Sequence, residues 1–187
     1  MPELLHRREL LKIASAALVG LTAGQKSWAM PRELVQNVAK AAGWTPVFLN
    51  ARQNETVVVL TNLIIPKTDT PGANDANVHR YIDLFLSVGT PADQKQFVNG
   101  LAWLDDYAKQ NYKAEFGKCS VEQQTTILNR MAGIDTTAIA DTGHTFFNQA
   151  KNMTASIYFS TPEGYKELNK LGPPPTKLGC EHAGGHA

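Results

Sequence analysis

Four side chains crowd the C-terminus: Cys180, Glu181, His182 and His186. All four are metal-ligand types, and short Cys/His tracts sometimes hold a transition metal. At a chain end the same residues are more often a frayed polar tail. A second constellation is His79 with Asp83, one helical turn apart. Such a pair can do acid–base work. No nucleophile or oxyanion site accompanies it, and a helix-surface ion pair is the commoner meaning of that spacing. Asp105 and Asp106 are adjacent, so on a helix they point apart. They make a poor carboxylate dyad and are expected to be solvated. Trp44, Trp103, Tyr107 and Tyr112 read as core or interface aromatics. The sequons Asn54-Glu55-Thr56 and Asn152-Met153-Thr154 carry little weight, the second falling within a helix.

Other chemistries lack their fingerprints. The sequence holds no Gly-x-Gly-x-x-Gly, no phosphate-binding loop, no Gly-x-Ser-x-Gly, no His-Glu-x-x-His and no Cys-x-x-Cys-His. Nothing in it therefore points to a dinucleotide fold, a serine hydrolase, a zinc protease or a c-type cytochrome. The composition suits one soluble globular domain: 187 residues, 43% hydrophobic, 19% charged. A net charge of +1 gives no electrostatic reason to expect nucleic acid or an anionic membrane surface.

The elements that would position these residues are helical. Val57, Leu60 and Ile64 recur at helical spacing between Arg52 and Ile65, and Pro66 stops the run. Val57-Val58-Val59 is β-branched, but Thr61 and Asn62 break any strict alternation, so helix is expected. Lys67 to Asn74 is a loop with a Pro71-Gly72 turn. Asn74 or Asp75 can cap the next helix, which carries Val78, Ile82 and Phe85 and ends at Gly89. Thr90-Pro91 opens a third, with Phe97, Leu101, Leu104 and Ala108 on one face. Ser120 with Gln123 is a capping box, followed by Val121, Leu128 and Met131. Ile139, Thr142, Phe146, Ala150, Met153 and Ile157 mark one long stripe over residues 137–158. Thr161-Pro162 opens a last helix to about Lys170. The expected fold is all-α: a single compact helical domain of about six helices with long loops and an irregular Pro/Gly-rich C-terminal tail.

The first 29 residues read as an export signal. Arg7-Arg8 precede Leu10, Leu11 and Lys12, a short apolar stretch follows, and Ser27-Trp28-Ala29 offers small residues before a cut between Ala29 and Met30. The arginine pair resembles the twin-arginine signal, with His6 where Ser or Thr is usual. Residues 30–187 would then form the mature domain, nearly neutral and periplasmic. In an oxidising compartment Cys119 and Cys180 can pair. The bond would close a loop of about 60 residues, worth about 4 kcal/mol in the chain-entropy model. Two free thiols, or Cys180 joined to another chain, are the alternatives.

Two stretches carry a resemblance. One is Leu60-Thr61-Asn62-Leu63-Ile64-Ile65-Pro66-Lys67-Thr68-Asp69-Thr70-Pro71-Gly72-Ala73 with Val78-His79-Arg80-Tyr81-Ile82-Asp83. The other is Tyr158-Phe159-Ser160-Thr161-Pro162-Glu163-Gly164, with Leu171-Gly172-Pro173 and Gly179-Cys180 closing the chain. Together they resemble the gluconate 2-dehydrogenase subunit 3 family. The tail departs from the family pattern, with Gly172-Pro173 and Lys177-Leu178 where a Gly-Tyr and a second Tyr are frequent.

The resemblance implies a non-catalytic small subunit. Its partner would be a large flavoprotein of the glucose–methanol–choline type, which carries FAD and the catalytic residues. A multi-haem cytochrome c subunit often accepts the electrons. It implies no catalytic, cofactor-binding or metal residue in this chain, and a membrane reached only through a partner. Ile65, Pro66, Asp69, Thr70, Pro71, Gly72, Ala73, Val78, His79, Asp83, Tyr158, Phe159, Pro173 and Pro174 are the positions expected to lie against the large subunit. The rival readings are a stand-alone periplasmic interaction domain, and a small enzyme using His79 and Asp83 or a C-terminal metal.

Overall fold

The computed structural model describes residues 43–133 and 141–170, and these hold six α-helices and no strand. Helix α1 (Ala51–Ile64) opens on a capping box that the sequence reading missed. The Asn50 side chain accepts the Gln53 N–H, and the Gln53 side chain accepts the Asn50 N–H. The β-branched run is helical, with Val57 and Leu60 turned inward. The helix closes with the Ile65 N–H on the Thr61 carbonyl, and Pro66 prevents another turn.

Helix α2 (Val78–Val88) ends at Gly89 as expected, but it does not begin on an Asn74 or Asp75 cap. Its first flanking residue is Asn77, in the left-handed region at φ 54°, with no side-chain cap. Asp75 is engaged in the preceding loop instead, which is why it cannot cap. Helix α3 (Pro91–Tyr112) starts at Thr90, whose hydroxyl accepts the Asp93 N–H, with Pro91 in the first turn. Its predicted face of Phe97, Leu101, Leu104 and Ala108 is buried. A single 3-10 turn, Phe116–Lys118, follows; nothing in the periodicity announced it.

Helix α4 (Val121–Met131) has the Ser120–Gln123 capping box. Val121 is 64% exposed, contrary to its place in the expected apolar face. In the first turn it points away from the core, and Ile127 joins Leu128 and Met131 inside. Helix α5 (Asp141–Ser160) buries Phe146, Ala150, Met153 and Ile157. Thr142 is exposed and Gly143 is the buried neighbour, while Ile139 lies outside the described residues. Helix α6 (Pro162–Lys170) is capped by Thr161, whose hydroxyl accepts the Gly164 N–H.

Helix α5 is the axis of the core and packs against each of the other five helices. Its crossing with α3 is made by two rings seated on two glycines. A Cβ at Gly100 of α3 would stand 2.1 Å from Cδ2 of Phe146 on α5. A Cβ at Gly143 of α5 would stand 2.5 Å from Cη2 of Trp103 on α3. Only hydrogen side chains allow that approach. Phe97 adds an edge-to-face contact with Phe146 at 5.4 Å, and Trp103 stacks on Tyr107 at 5.1 Å. The Tyr107 hydroxyl accepts from Arg130 of α4, and His144 of α5 lies 2.7 Å from the Met131 carbonyl at α4's end. Trp103, Tyr107 and Tyr112 are thus packed against the core, as their types suggested.

Candidate partner-docking surface

The two stretches that carry the resemblance meet in space. Tyr158, buried on the last turn of α5, donates its hydroxyl proton to the Pro71 carbonyl, 87 positions earlier in the chain. The loop it holds is built from local chemistry. The Ala73 N–H returns to the Ile65 carbonyl at 2.9 Å, and the Thr68 N–H bonds the Thr70 carbonyl at 3.1 Å. Gly72 lets the chain pass close to itself: a Cβ there would stand 2.6 Å from the Lys67 nitrogen. Asp75 accepts the Gly72 N–H at 2.8 Å and the Lys67 ammonium at 3.1 Å. These two donors, the backbone one first, hold its carboxyl below the usual carboxylate range.

The result is an exposed tip, Pro66 to Asp69, with Ile65, Thr70 and Pro71 half-buried behind it. Tyr158 also meets Phe159 edge-on at 5.2 Å, and Phe159 is 39% exposed. The Tyr158 carbonyl accepts the Thr161 hydroxyl at 2.6 Å, which fixes the start of α6. One tyrosine therefore ties together the loop, an exposed phenylalanine and the last helix. Of the other expected contact positions, Gly72, Ala73, Val78 and Asp83 are buried within this chain and shape the surface from behind. Pro173 and Pro174 lie outside the described residues. So do Arg7, Arg8, Leu10, Leu11, Lys12, Ala29, Met30 and Cys180.

The His79/Asp83 reading is corrected by the position of Asp83. Its side chain is fully buried and accepts three backbone N–H groups. Val47 bonds Oδ2 at 2.7 Å; Phe48 and Leu49 bond Oδ1 at 3.0 and 2.7 Å. A carboxylate occupied in this way neither pairs with His79 nor serves as a general base. It clasps the irregular segment before α1 onto α2. The same segment is held at a second point, where Trp44 meets the His79 ring edge-on at 5.6 Å and the Arg80 guanidinium lies 5.4 Å from the Trp44 ring centre.

Burial of the His79 ring, and then the charge of Arg80, push its pKa down to about 4. The unfolded chain binds this proton below about 6.5, and the folded chain does not until about 4. Stability is therefore complete above pH 6.5 and falls as the pH drops through that window. The loss is at most about 3 kcal/mol, and nearer 1–2 because water reaches part of the ring. A His79→Gln variant should show a flatter stability profile between pH 6.5 and 4 in urea titrations. An identical slope would disprove the assignment.

Asp105 is also corrected. It is 8% exposed rather than solvated. It accepts the Phe116 N–H at 3.1 Å and the Arg52 guanidinium at 2.7 Å, so it anchors the 3-10 turn to α1 and α3. Glu115 completes the cluster with Arg52 at 3.0 Å and Lys109 at 3.5 Å. Gln124 closes it from α4 by donating to the Phe116 carbonyl at 2.9 Å. Cys119 lies beside this knot as a buried thiol that donates to the Glu115 carbonyl at 3.4 Å. Burial, and then Asp105, raise its pKa.

Among the described residues no group of three or more His, Cys, Asp or Glu could hold a metal ion, and no helix is long and apolar enough to cross a membrane. Cys180, Glu181, His182 and His186 lie outside those residues. An open groove of about 530 Å³ between α3 and α5 is lined by Lys95, Asn99, Asp141 and Thr145.

The family model described as gluconate 2-dehydrogenase subunit 3 matches residues 51–172. The chain belongs to that family. The match runs from the first residue of α1 through the loop, Tyr158 and α6, so it takes in every element of the surface above. Family membership makes the chain a subunit of a multi-subunit dehydrogenase complex. No curated protein and no solved structure matched the chain.

Proposed function

We propose that the chain is the non-catalytic small subunit of an exported, FAD-dependent sugar, polyol or sugar-acid dehydrogenase. It folds with the catalytic flavoprotein, supplies the export signal for both and stabilises the complex. The observation that carries this reading is the family match, which spans the docking loop and its tyrosine latch. FAD belongs to the large subunit of the glucose–methanol–choline type, with a multi-haem cytochrome c subunit as the electron acceptor.

Physical logic links the roles. A flavoprotein loaded with FAD in the cytoplasm must fold before it crosses the membrane. A route that carries folded cargo can then move both chains with one twin-arginine signal, here Arg7-Arg8. The chains must stay joined in transit, so the interface should bury at least about 1,200 Å². The Pro66–Asp69 tip and Phe159 are its contact points on this side, with Pro173 and Pro174 of the tail continuing it. Export also places Cys119 and Cys180 in a compartment where a disulfide between them can persist, a pairing that would replace the Cys119 thiol's bond to the Glu115 carbonyl.

Two measurements test this. The chain is expressed alone and with the flavoprotein gene beside it. Flavin absorbance should co-purify with this chain only from the joint expression. Sugar oxidation by the isolated chain, without flavin, would refute the non-catalytic role. Changing Arg7 and Arg8 together to Lys should leave the large subunit in the cytoplasm. Unchanged periplasmic delivery of the large subunit would refute co-export.

A further inference from the structure

The tip of the loop carries one charge that the loop itself does not neutralise. Lys67 is matched by Asp75, whose second oxygen takes the Gly72 N–H. Asp69 is exposed, and its carboxylate has no hydrogen bond or ion pair among the described residues. The backbone beneath it is fixed on three sides: Ala73 to Ile65, Gly72 to Asp75, and Pro71 to the buried Tyr158 hydroxyl. The glycine-permitted close pass at Lys67 leaves little room for the loop to collapse or widen. An irregular segment with this many internal ties loses little further freedom on binding, which is the condition for preorganised recognition.

We propose that residues 66–70 form a preset recognition tip. Its outward Asp69 carboxylate meets an Arg or Lys of the catalytic subunit, and Tyr158 fixes its shape from behind as a positioning residue. This rests on the subunit reading above and deepens it by naming the contact and its charge. A carboxylate at the rim of an interface acts mainly on the association rate and gives a salt-dependent affinity. Tyr158 acts differently. It is buried and does not itself reach the partner, so it influences docking only through the conformation of the loop.

The test uses the full chain and the purified flavoprotein, with three readouts for each variant. These are affinity at low and high ionic strength, amide exchange across residues 67–73 in the free chain, and melting temperature. Asp69→Asn should weaken binding about five- to tenfold at low salt, with the difference shrinking at high salt and the melting temperature unchanged. Tyr158→Phe keeps the ring and removes only the hydroxyl. It should speed exchange in the loop about tenfold, leave exchange in the other helices unchanged, and weaken binding at both salt concentrations. Equal affinity and salt dependence for Asp69→Asn and wild type would overturn the charge contact. Unchanged loop exchange in Tyr158→Phe would overturn the positioning role, as would faster exchange with unchanged affinity. A wild-type chain that binds no flavoprotein would overturn the subunit reading and this inference with it, whereas binding by all three proteins alike would overturn this inference alone.

Discussion

Replacing Asp83 by alanine is expected to cost about 3–5 kcal/mol, the largest loss of any single substitution considered. The carboxylate sits at 0% exposure and takes three N–H groups from consecutive residues, Val47, Phe48 and Leu49. Alanine leaves three N–H groups without their acceptor, the Leu49 N–H fully buried among them, and opens a small void where the carboxylate stood. Hydrogen bonds to a charged acceptor are stronger than neutral ones, and each buried donor left unmade costs about 1–3 kcal/mol. Asp83→Asn keeps one carbonyl oxygen and turns an N–H₂ toward a backbone donor, so its loss should be intermediate, about 2 kcal/mol. Urea denaturation measures both. The amides of residues 47–49 should lose exchange protection before the rest of the core. A loss under about 1 kcal/mol for the alanine variant would show that the clasp contributes little.

Gly100→Ala is the second large effect, and here two influences oppose each other. In an ordinary helix interior, alanine gains about 1 kcal/mol over glycine. At Gly100 the new methyl would lie 2.1, 2.4 and 2.8 Å from three atoms of Phe146. Phe146 is 2% exposed and is gripped by Phe97, so its ring cannot swing out of the way. Overpacking of this kind costs about 1–3 kcal/mol, sometimes more, and it outweighs the propensity gain. A net loss of about 2 kcal/mol is expected, which lowers the melting temperature by about 4–8 °C for a chain of this size. Adding Phe146→Leu to Gly100→Ala should recover part of it, a non-additivity that marks direct contact. Gly143→Ala should cost less, because the half-buried Trp103 has room to shift. A melting temperature that rises in Gly100→Ala would show that the helices do not cross as closely as described.

Much of the helical frame was readable because its signals are local. Thr90-Pro91, Ser120 with Gln123, Thr161-Pro162, Pro66 and Gly89 act within one turn of themselves, and each marks the boundary it promised. Asn50 with Gln53 is a signal of the same kind and could have been read. Asp83 and Asp105 were misjudged for the opposite reason. Their partners are backbone groups 34–36 and 11 positions away, and a carboxylate's spacing along its own helix says nothing about such donors. Asp75 misled in a smaller way, since its turn with Gly72 and Lys67 competes with the cap it could have formed. The candidate surface was legible as two motifs but not as one place. Only the long-range bond from Tyr158 to Pro71 brings them together.

The paired glycine seats also determine how α3 and α5 can move. Each ring occupies the one notch that fits it, and the notches face in opposite senses. Sliding α5 by a single helical turn, about 5.4 Å, so that Phe146 leaves its notch toward Leu104 would carry Trp103 onto the bulk of Phe147. In that direction no ratchet position lies next to the present one. A push along α5 in that sense therefore meets two bulky side chains instead of empty notches, and α3 and α5 resist it as one unit.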